Sequence, residues 1–131
     1  MENQDYEVRW LIPDQVVLMV QKTNLDVDGL MNMVADVNTL LETSSNSKIP
    51  IIVDSSAVKQ TNANIGQVVE KFRSVRSDKW GFTVIIGAKG VIQFMAQLVL
   101  QLARVEVRMT STMENALEIL YRMHPELPQI E

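Results

Sequence analysis

Apolar positions recur along this chain with two different periods, and the changes from one to the other mark its elements. Residues 7–12 and 16–21 are short strand-like runs separated by Pro13-Asp14-Gln15, a polar connection whose proline suits a tight turn, so they predict an antiparallel hairpin. From 26 to 44 the period lengthens: Val27, Leu30, Met31, Val34, Val37 and Leu41 fall at helical spacing, with Asp26 available as N-cap. Residues 51–54 are apolar on consecutive positions, the pattern of a strand covered on both faces and hence near the centre of a sheet. A second helix over 64–77 places Ile65, Val68, Val69, Phe72 and Val75 on one face, with Asn62 or Asn64 as its cap. Another buried-type strand at 81–86 runs through Gly87-Ala88-Lys89-Gly90 into a third helix at 91–103, and residues 105–109 alternate as a last strand. Ser111 and Glu114 have the capping-box spacing and open a fourth helix through 123, after which Pro125 and Pro128 predict a loose tail over 124–131.

A hairpin followed by helix, strand, helix, strand, helix, strand, helix specifies an α/β fold: a mostly parallel central sheet with helices packed on it and one antiparallel pair at the start. The chain of 131 residues suits one domain spanning 1–131, with an ordered core over about 5–123. At 47% hydrophobic and 21% charged residues, order is expected nearly throughout.

Charge narrows the partners. A net charge of -4 argues against nonspecific nucleic-acid binding, which needs a surplus of Lys and Arg to displace counterions. The one basic cluster, Lys71, Arg73, Arg76 and Lys79, falls at the end of the second helix, where cations meet the negative end of the dipole. The absence of cysteine excludes thiol catalysis, disulfides and cysteine-ligated zinc. The start of the chain is acidic, and no apolar run has bilayer-spanning length, so a cytoplasmic protein without stable membrane insertion is expected.

Candidate chemistry gathers where the strand at 51–54 ends in Asp54, Ser55 and Ser56, because ligands of parallel sheets meet the carboxyl ends of the strands. A serine nucleophile there needs a base, and the single histidine, His124, lies beyond the last helix. The aspartates are scattered without a loop that gathers oxygens, so no metal site and no cofactor are expected. Residues 87–90 lack both the dinucleotide glycine spacing and the P-loop ending. Asp54 ends its strand as the phosphorylated aspartate of a response-regulator receiver does, yet Trp10-Leu11-Ile12-Pro13 and Arg108-Met109-Thr110-Ser111 stand where a receiver has its acidic cluster and its lysine. The expectation is a binding rim formed by Asp54, Ser55, Ser56, Thr61, Asn62, Ala63 and Asn64, not an enzyme.

The third helix departs from an ordinary surface helix. Only Gln93, Gln97 and Gln101 interrupt its apolar residues, and no charge lies between Lys89 and Arg104. Such a helix is buried in the core or covered by another chain, which makes Phe94, Leu98 and Gln101 a candidate self-association face in a homodimer.

The hairpin, the run Ile51-Ile52-Val53-Asp54-Ser55-Ser56-Ala57-Val58 and the helix order together resemble the STAS domain, the fold of bacterial anti-sigma-factor antagonists and of sulfate-transporter tails. The resemblance covers about residues 5–123. Asp54, Ser56 and Val58 reproduce the family's Asp-x-Ser/Thr-x-Val strand end, and the segment 87–120, ending Ala116-Leu117-Glu118-Ile119-Leu120, resembles its C-terminal half. It implies a signalling module of a bacterial pathway that binds an anti-sigma-factor or sensor-like protein. Antagonists of that family carry a phosphorylated serine or threonine at the start of the second helix, where this chain reads Asn62-Ala63-Asn64-Ile65; Thr61, Ser55 and Ser56 are the nearby hydroxyls. The other reading of the same fold is a small-molecule or lipid carrier, with the third helix lining a cavity and the eight methionines adapting to its contents.

Overall fold

A computed structural model describes residues 1–61 and 63–129. Strands β1 (Tyr6–Ile12) and β2 (Val16–Gln21) form the antiparallel hairpin. Its turn has Pro13 at the second position and Asp14 in the left-handed region (φ 66°), and the Gln15 N–H donates to the Ile12 carbonyl at 2.9 Å. There follow α1 (Val27–Glu42), β3 (Ile49–Asp54), α2 (Ile65–Val75), β4 (Trp80–Ile86), α3 (Gly90–Leu102), β5 (Val107–Thr110) and α4 (Met113–Met123). The strands lie side by side in chain order, β1-β2-β3-β4-β5, antiparallel in the first pair and parallel in the rest. The protein is therefore an α/β fold with a five-stranded mixed sheet and four helices, and β3 is the middle strand.

Each parallel connection steps to the next position in one direction, so crossovers of constant hand leave α1, α2 and α3 on one face of the sheet. The packing agrees. Val8, Met19, Ile51 and Ile85 share a core with Val37 of α1, Phe72 of α2 and Val99 of α3. Leu18, Ile52 and Val84 face the other way, against Ala116 and Leu120 of α4. Ile51 and Ile52 are both fully buried on opposite faces, which is why this strand reads as continuously apolar.

Capping follows the sequence in two helices and departs from it in a third. Asp26 accepts from the Gly29 N–H at 2.8 Å and opens α1; Asn64 accepts from the Gln67 N–H at 3.1 Å and opens α2. The α4 cap is Thr112, accepting from the Asn115 N–H at 3.1 Å, so the helix starts one residue later than the Ser111–Glu114 spacing predicts. Thr112 keeps the extended backbone an N-cap requires (φ -137°, ψ 157°).

Residues 124–129 also differ from the loose tail expected over 124–131. Pro125 follows the end of α4, but the segment beyond is fastened: Leu127 is buried in the α4 core, and the Tyr121 hydroxyl donates to the Pro128 carbonyl at 3.1 Å. One helix alone covers that face of the sheet, and a leucine gains more by closing its edge than by staying in water. The basic residues after α2 serve as fasteners too. Arg76 donates to the carbonyls of Ser77 and Ala103, and Lys79 donates to the Ser44 carbonyl at 2.6 Å.

Candidate functional site

At the carboxyl end of β3 the main chain turns sharply over its own side chains. The Asp54 Oδ1 accepts from the Ser56 N–H at 3.0 Å, the Ser55 N–H donates to the Ile86 carbonyl at 2.8 Å, and the Val58 N–H donates to the Ser55 carbonyl at 3.0 Å. This local bonding holds Asp54 as a turn former. Gly87 closes the end of β4 over the same turn: its φ is +75°, and a Cβ there would strike the Ser56 hydroxyl. Only glycine fits such a position.

The rim continues through residues the sequence did not mark. The Asn24 Oδ1 accepts from both the Lys59 N–H (3.0 Å) and the Gln60 N–H (3.2 Å), tying the loop after β3 to the loop after β2. Thr61 accepts from the Ala63 N–H at 3.1 Å, and Asn64 caps α2. Of the expected rim, the structure thus gathers Asp54, Ser55, Ser56, Thr61, Ala63 and Asn64 at one edge, while Asn62 lies outside the described residues. Ser56 and Asn64 are exposed, whereas Ser55 is only 6% exposed.

Below the rim, between the sheet and the three helices on its face, is an open cavity of about 160 Å³. Its floor is buried and apolar, from Met19 and Ile85 on the sheet to Met33, Phe72, Trp80 and Leu100. Its mouth is ringed by partly exposed Met31, Val58, Thr61, Ala63, Ile92 and Met95. Four of the eight methionines, Met19, Met31, Met33 and Met95, therefore line one space. Polar side chains are few. Gln21 donates to the Thr23 carbonyl, Thr83 accepts from the Trp80 indole N–H at 3.0 Å and donates to the Gly81 carbonyl, and Thr61 holds Ala63. The Ser55 hydroxyl alone among the lining side chains that can hydrogen-bond has no partner among the described residues. Alternation along the strand explains its aim: Val53 and Ser55 face the cavity, and Asp54 the other side.

The third helix is split between two environments. Val99 and Leu100 are buried, and Ile92, Met95 and Ala96 line the cavity. On the outside, Val91 (68%), Phe94 (66%) and Leu102 (48%) are exposed, as is Gln101. Leu98 is half-buried in a shallow groove shared with Ile65 and Val69 of α2. Core burial thus accounts for one side of this helix and leaves Phe94, Leu98 and Gln101 along the other.

The remaining chemical candidates stay apart. His124 stacks near Phe82 (ring centroids 6.3 Å apart) and meets Glu126 at 3.3 Å, at the amino ends of β3 and β4 and the opposite end of the sheet from Ser55. Among the described residues no group of three His, Asp or Glu side chains converges as metal ligands would, and no helix is long and apolar enough to cross a membrane. Comparison of the chain with models of known protein families and with curated proteins gave no match.

Proposed function

We propose that the chain is a non-catalytic binding module of STAS-like fold that takes the apolar part of a small ligand into the cavity under α3 and presents the rim above it to a protein partner. The observation that carries this reading is the cavity itself. Apolar interiors are normally packed to crystal density, and an engineered void of about 150 Å³ lined by aliphatic and aromatic side chains is enough to bind benzene. A void of about 160 Å³ open at the functional edge of a parallel sheet, with four adaptable methionines in its wall, fits a ligand site.

The partner-binding part of the proposal rests on the resemblance and on the rim. Ala63 and Asn64 stand where antagonists of the family carry their phosphoacceptor, so recognition here is tied to occupancy of the cavity rather than to phosphorylation. Ser56, Lys59 and Gln60 are exposed on the loop that Asn24 fixes, and an anti-sigma-factor or sensor-like protein would read them. The outer face of α3, with exposed Phe94 and Gln101 beside half-buried Leu98, is the face for a second copy of the chain, in a bacterial cytoplasmic setting.

Native mass spectrometry of the purified protein tests the ligand and the dimer together. The expected spectrum holds a non-covalent adduct of a few hundred daltons, or gains one after incubation with medium-chain amphiphiles, on a dimeric species. A bare protein that takes up nothing ends the carrier reading, and a monomer at all concentrations ends the dimer.

A further inference from the structure

We infer that the ligand is a single-chain anionic amphiphile, a medium-chain fatty acid or its chemical equivalent, with its carboxylate between the Ser55 hydroxyl and the first turn of α3. This inference rests on the reading of the cavity as a ligand site and adds the chemistry of the head group. Two features of the mouth suit a carboxylate, the first any ligand oxygen and the second a negative charge. The first is Ser55: a residue 6% exposed, lining the cavity, whose hydroxyl has no acceptor or donor among the described residues. The hydroxyl is reached from the cavity, so a ligand oxygen can bond it in place of water.

The second is the start of α3. Asn64 and Thr112 cap their helices with side-chain oxygens, but the corresponding residue of α3 is Lys89, which offers none. The first-turn N–H groups of a 13-residue helix are left facing outward with the positive end of its dipole, and Lys89 adds a full charge beside them. The same turn borders the cavity through Ile92. Ile86 accepts from the Ser55 backbone N–H and Gly87 lies against Ser56, so the loop into α3 adjoins the end of β3 at the mouth. Asp54 points to the opposite face of the sheet and does not oppose an anion there.

The tail of the ligand follows from the wall. Every polar side chain of the floor is already bonded within the protein, so what lies deeper than Ser55 must be hydrocarbon. A volume of about 160 Å³ accepts a portion of benzene size, on the order of six carbons. The chain is unbranched and of medium length, with octanoate as a suitable probe.

The test is a titration of the whole protein, labelled with ¹³C at its methionine methyl groups, with octanoate and with 1-octanol at neutral pH. Octanoate is expected to bind at least about tenfold more tightly than octanol, a charge-assisted bond being worth that factor over a neutral one. From butanoate to octanoate the affinity rises about fourfold per methylene. Met19, Met31, Met33 and Met95 shift, whereas Met1, Met109, Met113 and Met123 do not. Ser55→Ala weakens octanoate about tenfold. Lys89→Asp gives α3 the carboxylate cap it lacks, filling the N–H groups in advance, so it weakens octanoate and spares octanol while leaving the fold intact. Octanol binding as tightly as octanoate, or octanoate unaffected by Lys89→Asp, overturns the anionic head and leaves the cavity as a ligand site. Neither probe moving the cavity methionines overturns both.

Discussion

Tyr6 shows how one side chain couples the hairpin to the helical layer and makes stability depend on pH. Its ring is buried in the core beneath α1, and its hydroxyl donates to the Asp36 carboxylate at 2.6 Å. Burial pushes the phenol above its ordinary value of 10.0, and the hydrogen bond and negative charge of Asp36 push the same way. The unfolded chain therefore loses this proton first. The contribution of Tyr6 is fully present below about pH 10 and declines as pH rises from there through the folded value. Tyr6→Phe is expected to cost about 1 kcal/mol at neutral pH and to remove that share of the alkaline loss. Urea unfolding of both forms between pH 7 and 11 checks it; parallel curves across the whole range would leave the Tyr6–Asp36 bond without the role assigned here.

Elements depend on such links because loops have little packing of their own. The segment between β3 and α2 carries the rim, and a single oxygen, Asn24 Oδ1, holds it by two backbone N–H groups. Asn24→Ala should lower stability by about 1–2 kcal/mol and speed amide hydrogen exchange at Lys59 and Gln60, with the β3 amides unchanged. Equal protection at Lys59 and Gln60 in both forms would show that the loop is held by something else. Asn24 was not legible in the sequence, since an asparagine in a polar loop has no pattern to read and its partners lie 35 and 36 residues away. The elements themselves were legible. Ile51 and Ile52 show burial on both faces, and Asp26 and Asn64 show helix starts, because these depend on neighbours within a few residues. Thr112 displaced Ser111 as cap because both residues suit the role and backbone geometry decides between them. The seating of Leu127 depended on how far α4 covers the sheet, and the methionine-lined space depended on how far α2 and α3 stand from it. Neither distance is written in a local period, although the surplus of methionine and the nearly uncharged α3 were its traces.

The two faces of the sheet are packed differently across the whole molecule. The α4 face is closed by a single helix and the fastened tail, and its core is built on fully buried Val16, Ile52, Ala116 and Leu120. The other face keeps an open space of about 160 Å³. A cavity kept only by accident would be easy to fill, because α3 already places the small side chain of Ala96 in its wall. Ala96→Leu therefore separates stability from binding. The larger side chain occupies the void, recovers about 1–2 kcal/mol, and raises the melting temperature by several degrees, while it abolishes uptake of octanoate. Thermal unfolding and the methionine-methyl titration on the same preparation check both halves. A variant that gained stability and still bound the probe would put the ligand outside the cavity, and one that lost stability would mean the wall is too tightly packed to hold a ligand. Opposite movement of the two quantities is the outcome that the proposed ligand site requires.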